Sequence, residues 1–491
     1  MNSLDIIVFL TYIFGVAIFG SSFFKKDRTS SSYTVGNNDI PAWVVTMSIF
    51  ATFVSSISYL ALPGNAFLSN WNAFAFSLSL PIASLIAVKF FVPLYRKINS
   101  PSAYTYMEQR FGSWARIYVS LCYLLTQLMR IGTILYLLAL TLNAIIGWNI
   151  TVIIVLTGII VAVYSMLGGI TAVLWTDAIQ GIILIIGALV CVGYILFNMP
   201  EGPGQIMDIA FSNNKFGLGS FDLDLSDSTF WVVLVYGIFI NLQNYGIDQN
   251  YVQRYMASKS DKAAQRSALI GGLIYVPISA LFLFIGTALF AYYNEVASLP
   301  LELQDATKSD RVFPYFIVNG LPSGLSGLMV ASIFAAGMST ISTSFNSSAT
   351  VFLTDYYNKY FKKNASDKEG MKVLYISSAV ISILGISIAI SMINVKSALD
   401  AWWKLASIFS GGMLGLFLLG ILSKSKNVIG AIVGTIAGIL VILWLSLSGM
   451  LFGENSIGNY FHTYLTIVIG TIVIFLFGFL ISLFSSKKPK I

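Results

Sequence analysis

Eight of the twelve residues from Ser339 to Thr350 carry a hydroxyl, in a stretch with no charged side chain between Arg311 and Asp355. Ser339, Ser342 and Thr343 stand at i, i+3 and i+4, so on a helix they line one face, with Thr340 beside them. A ring of neutral oxygens is what a dehydrated hard cation needs, and a full negative charge would be costly if the helix lies in a membrane. Interhelical packing is the competing use, because Ser and Thr are enriched at helix contacts in lipid. Asp177, in "VLWTDAIQG" after Gly168–Gly169, either complements a helix N-terminus or supplies one formal charge to a cation. Arg130, alone in "YLLTQLMRIGTILYL", presents a planar fork suited to a carboxylate. In mid-membrane such a charge costs about 2.5–3.5 kcal/mol on insertion scales, so it must face a cavity or a partner.

The elements that position these groups are membrane spans. The chain is 57% hydrophobic and 10% charged, with a mean hydropathy of +0.81, far from the balance of a water-soluble domain. Apolar runs long enough to cross a hydrocarbon core occur at residues 4–23, 43–68, 74–95, 116–146, 150–166, 177–197, 229–248, 266–293, 325–354, 372–393, 398–421, 427–449 and 460–484, which predicts an all-α integral membrane protein of about 13 helices. The second run, "SIFATFVSSISYLALPGNAF", carries Ser55, Ser56 and Ser58 ahead of Pro63–Gly64. Proline removes a ladder donor and crowds the preceding turn, so a break is expected between about Phe53 and Pro63. Carbonyls freed at such a break are ligands for a cation, and irregular backbone at membrane depth must face protein or a water-filled cavity.

Twenty-one of the 28 basic residues fall on one side of this arrangement. They include Lys25, Lys26, Arg28, Arg96, Lys97, Arg254, Lys259, Lys262, the 359–372 cluster, Lys424, Lys426, Lys487, Lys488 and Lys490; Lys215, Lys308, Arg311, Lys396 and Lys404 lie opposite. Positive residues are retained in the cytoplasm, which predicts an outside N-terminus, a cytoplasmic C-terminus and a cell-membrane location. The net charge of +7 is thus a topology signal spread over short loops, with no nucleic-acid patch. Because its basic cluster follows the first apolar run, that run reads as an uncleaved span embedded in lipid. Cys122 and Cys191 both lie in spans and read as small buried residues. The lone His462 rules out a His-rich metal site. Connections near 199–228 and 294–324 are too short for a separate domain, so 1–491 is one transporter-like unit. Few titratable groups sit in the spans, which disfavours an intramembrane enzyme and favours transport.

"WTDAIQG" at 175–181, "DQNYVQRY" at 248–255, the broken second span and "AAGMSTISTSFNS" at 335–347 together resemble the sodium/solute symporter family over nearly the whole chain. The resemblance implies a leucine-transporter-like 5+5 inverted repeat: an extra N-terminal helix and loop at 1–42, repeats at 43–197 and 229–421, and two extra C-terminal helices at 427–491. It implies a first sodium site of the Ala51, Val54 and Ala336 carbonyls with the Ser339 and Thr340 hydroxyls. A second site, found in some members, would use Asp177, Ser339, Ser342 and Thr343, giving two sodium ions per substrate. Around Arg130 the register resembles the bacterial sialic acid branch, which implies sodium-coupled import of an acidic sugar by alternating access, with Ser55 and Ser58 on the sugar and Arg130 on its carboxylate. Ser56, Gln243 and Asn244 are further pocket candidates. Phe53 stands where a hydroxyl residue is expected, Ala73 where an aromatic is, and Ser77 where a glutamine is, which points to a roomier pocket with altered acyl preference. Proline, a sugar or pantothenate stays open as the solute within the family, and a sodium channel or a membrane scaffold outside it.

Overall fold

The computed structural model describes residues 2–37, 39–363, 365–394, 398–423, 426–452 and 460–485. Lys396, Lys424, Lys487, Lys488 and Lys490, which entered the charge count, lie outside the described residues. Among the described residues there is no β-strand, only an isolated bridge between Ile40 and Ser258. Among the described residues ten helices are long and apolar enough to cross a membrane, or eleven when a pair bent by 55° is taken as one span.

In chain order the principal helices are α1 (Ser3–Ser21), α2 (Ala42–Phe53), α3 (Ser56–Leu68), α4 (Phe74–Ile98), α5 (Ser113–Ile146), α6 (Ile150–Phe197), α7 (Phe230–Ile247), α8 (Gln249–Ala257), α9 (Asp261–Glu295), α10 (Leu325–Val351), α11 (Asp367–Ser391), α12 (Ala398–Leu422), α13 (Val428–Phe452) and α14 (Leu465–Ser485). The hydroxyl-rich helix α10 is the axle of the molecule, packed extensively against α6 and also against α1, α5 and α11. In its most apolar window 89% of the residues are buried, against 28% for α1 at the periphery. Lipid-facing helices need only be apolar, whereas a helix enclosed on all sides can place hydroxyls where other helices satisfy them.

The break in the second span lies at Val54–Ser55, where both residues are extended (ψ 114° and 169°). It falls inside the expected window but is not made by Pro63, which sits within α3. The Pro63 carbonyl instead abuts α9 at Gly286, where a Cβ would lie 2.0 Å from that oxygen. Overpacking of this kind costs about 1–3 kcal/mol. Gly286→Ala is therefore expected to lower the thermal midpoint of the detergent-solubilised protein, while Gly15→Ala, which meets nothing within 4 Å and relieves a helix-interior glycine, does not lower it.

Two further irregularities matter. Gly169 has φ 58° and ψ −158° inside α6, so the Gly168–Gly169 turn separates the expected 150–166 and 177–197 runs. The chain is also extended at Asp248 between α7 and α8, with the Asp248 carboxylate accepting the Asn250 N–H as an N-cap. This second break corrects the sequence reading, in which the seventh span ended at 248 and Arg254 belonged to a cytoplasmic loop. Every residue of α8 is buried, because its polar side chains pair with other helices and not with water.

Candidate functional site

Where α2 ends, its last carbonyls lose their intrahelical donors. The Ser339 hydroxyl donates to the Ala51 carbonyl at 3.0 Å and to the Ala336 carbonyl at 3.1 Å, and Thr340 reaches the Ala336 carbonyl at 3.2 Å. Val54 is buried at the break itself. Four oxygens drawn from α2 and α10 thus belong to one buried seam, and Ser339 is the atom-level link between the broken span and the axle helix.

One turn further along α10 lies a second cluster. The Ser342 hydroxyl is 3.4 Å from Asp177 Oδ1, and Thr343 is 3.3 Å from Asp177 Oδ2. Ser48 of α2 donates to Oδ2 at 2.9 Å. A residue that sequence reasoning placed in a loop completes the cluster: the Arg254 Nη2 lies 2.6 Å from Asp177 Oδ2 and 2.6 Å from the Thr343 hydroxyl, and its Nε donates to Ser48 at 2.8 Å. Both charged side chains are fully buried. The rest of the hydroxyl stretch serves packing. Ser344 donates to Gln127 at 2.7 Å, Tyr123 joins Ser347 to Asn250, and Gln253 binds Asn346 and Thr350.

Beside the Val54–Ser55 break opens a cavity of about 680 Å³. Phe53, Ser55, Ser58, Ala73, Arg130, Gln243 and Asn244 line it. Ser56 and Ser77 do not; both are buried behind the wall, since one residue's step turns a helical side chain by about 100°. In the cavity wall the Phe53 ring centroid lies 4.5 Å from that of Tyr275. Arg130 is held loosely: its Nη1 is 4.0 Å from Asp248 and its Nη2 is 3.4 Å from the Thr52 carbonyl. Asp248, Gln127, Tyr251 and Tyr275 also line the cavity and were not anticipated as site residues. "DQNYVQRY" carried a signal for Asp248 and Tyr251, five polar groups in eight residues directly after an apolar span.

The sodium:solute symporter family model matches residues 33–438. The sodium/sialic acid symporter NanT of Aliivibrio fischeri is 31% identical, over 98% of this chain and 93% of that protein. SiaT of Proteus mirabilis, also a sodium/sialic acid symporter, is 34% identical over 89% of this chain and 88% of that one. A solved Na+-coupled sialic acid symporter in a substrate-bound, outward-open state superposes with a TM-score of 0.90 at 30% identity, covering 98% of both chains. The closed form of Mhp1, a nucleobase-cation-symport-1 transporter, shares the fold at a TM-score of 0.56 and 16% identity. The hydroxyl-lined axle helix, the break facing it and the adjoining cavity are therefore those of a multi-pass membrane transporter, and the chain belongs to the sodium:solute symporter family.

Proposed function

We propose that this protein imports a sialic acid or a closely related acidic sugar together with sodium ions, by alternating access around the cavity at the Val54–Ser55 break. The observation that carries the proposal is Arg130, a guanidinium held only by long, partial interactions among the described residues, standing in the cavity wall within the same broken-helix region as the Ser339–Ala51 oxygen seam. A cation so weakly partnered in a lipid-embedded cavity is a ready receptor for a carboxylate. Ser55 and Ser58, on the same wall, offer hydroxyls to a polyhydroxylated ring. Ala73, small where bulk would narrow the pocket, leaves room for a varied N-acyl group. Counterflow in proteoliposomes against labelled sialic acids, proline, glucose and pantothenate tests the assignment. Exchange of sialic acid is expected; exchange of a neutral solute alone overturns it.

Thirteen crossings in a 5+5 inverted repeat fit the helices. A continuous helix the length of α6 would be about 72 Å long, more than twice the hydrocarbon thickness, so it must double back at Gly169. Taken together with the bent α2–α3 pair as one span and α12 as another, this gives the expected count. The second and seventh spans, each the first of its repeat, are the ones broken in mid-run, at Val54–Ser55 and at Asp248. Asn70, Asn72, Ser228 and Thr463, which also line the cavity, lie in connections on the side poor in basic loops, which suits an outward-open form with the N-terminus outside.

Sodium at the carbonyls of Ala51, Val54 and Ala336 with Ser339 and Thr340 would tie α2 to α10 and favour the outward-open form. Coupling requires only that the ion bind the two forms with different free energies. With a second ion at Asp177, Ser339, Ser342 and Thr343, one carboxylate and two sodium ions carry a net single positive charge inward. Each charge moved is worth about 2.3 kcal/mol per 100 mV, so uptake is expected to rise steeply with an inside-negative potential. Ser342→Ala should flatten that dependence. It is the cleaner probe, because Asp177→Asn would leave Arg254 buried without its partner at a cost of about 3–5 kcal/mol. Potential-independent uptake of sialic acid by the unmutated protein would leave one ion per substrate.

Asp248 is the resting partner of Arg130 and must share it with an incoming carboxylate. Asp248→Asn keeps an N-capping side chain and removes the competing charge. Calorimetry is expected to show sialic acid binding tighter by roughly threefold to tenfold, the scale of one charge interacting at a partly hydrated site.

A further inference from the structure

We infer that Arg254 is a tethered cation at the second sodium site: it neutralises Asp177 permanently and so sets the affinity of that site for sodium low. The inference rests on reading Asp177 as a sodium ligand. Its basis is the division of labour between the two carboxylate oxygens. Oδ2 is saturated, taking Arg254 at 2.6 Å, Ser48 at 2.9 Å and Thr343 at 3.3 Å. Among the described residues Oδ1 receives only the long approach of Ser342 at 3.4 Å, and it is the face left for an ion.

Arg254 cannot drift away cheaply. Its Nε is fixed by Ser48 at 2.8 Å and its Nη1 by the Asn250 carbonyl at 2.5 Å, on a side chain with no exposure at all. A sodium ion arriving at Oδ1 therefore meets a carboxylate whose charge is already balanced, and meets the guanidinium as a like charge in a medium that screens poorly. Low affinity at this site is useful in a symporter, because an ion held tightly would not leave into the cytoplasm. The same clamp keeps Oδ1 pointed at Ser342, so Arg254 positions the ligand that it weakens.

This reverses the usual expectation for a buried arginine: removing it should strengthen binding. The test is equilibrium binding of radioactive sodium to the purified full chain in nanodiscs, in a choline background without substrate. Arg254→Gln is expected to tighten the weaker sodium class at least tenfold, and Arg254→Lys, which retains the charge, to leave it within threefold of the unmutated protein. The neutral pair Asp177→Asn with Arg254→Gln should lose the gain. Should Arg254→Gln not yield folded protein, Ser48→Ala, which frees Nε and one donor to Oδ2, is read in its place, with tightening of at least threefold expected. Weaker or unchanged sodium binding in the variant read overturns the inference while leaving Asp177 as a ligand. A gain that persists in the double variant removes Asp177 from the site and overturns the reading beneath it.

Discussion

Ser339→Ala is expected to abolish most sodium-driven uptake in proteoliposomes, by a hundredfold or about 3 kcal/mol in sodium binding, on the scale of a charge-assisted ligand removed from a dry site. The side chain bonds the Ala51 carbonyl across the break and the Ala336 carbonyl on its own helix, at 3.0 and 3.1 Å, and it is fully buried. Alanine removes the oxygen without adding bulk, and leaves the Ala51 carbonyl with no neutral donor when the ion is absent. Two consequences follow from that geometry. Sodium affinity falls because a ligand is gone, and the ion-free protein loses the one hydroxyl that bridges α2 to α10 at the break. Thr340→Ala, whose hydroxyl reaches only the Ala336 carbonyl of its own helix, is expected to cost less than Ser339→Ala in the same assay. Uptake by the unmutated protein that runs equally well in choline would separate Ser339 from sodium coupling, and equal losses in the two variants would remove the special weight of the Ser339–Ala51 bridge.

How far the site was legible depends on whether a local pattern or a tertiary pairing determines each part. Hydroxyl spacing at Ser339, Ser342 and Thr343 is a helical-face pattern, and these side chains do converge with the Ala51 carbonyl and Asp177. The same pattern continues to Thr350, yet there the partners are Gln127, Asn250 and Gln253 and the role is packing. Periodicity shows which face is polar but cannot tell a cation from an amide. The second-span break was expected from Pro63, but the chain leaves the helix at Val54–Ser55 and carries the proline inside α3, where Gly286 makes room for it. Arg254 was misplaced for a different reason. A charge count assigns every arginine between spans to water, and only the fold reveals that α8 is enclosed and that its arginine has an acid 2.6 Å away, 77 positions distant in sequence. The Asp248 break escaped notice because an aspartate N-cap with no proline or glycine run resembles an ordinary span end.

Arg130→Ala is expected to abolish measurable sialic acid binding, and Arg130→Lys to weaken it severely, because lysine keeps a charge but not the planar fork. Losing a charge-assisted pair in a desolvated pocket costs roughly 2–5 kcal/mol, or about thirty-fold to several thousand-fold in affinity. The geometry makes folding an addressable control. Among the described residues Arg130 has no close partner in this form, only Asp248 at 4.0 Å and the Thr52 carbonyl at 3.4 Å, so its replacement disrupts few native interactions. What it does leave is Asp248 in the cavity wall without a counter-charge, which repels a carboxylate and adds to the loss. Arg130→Ala combined with Asp248→Asn should therefore recover part of the affinity lost by Arg130→Ala alone. The discriminating measurement is calorimetric titration of monodisperse protein with sialic acid and with its carboxyl-amide analogue. The unmutated protein should prefer the acid strongly, and the Arg130→Ala protein should lose that preference. Equal binding of acid and amide by the unmutated protein would mean that Arg130 does not read the carboxylate, and the assignment to an acidic sugar would fail with it.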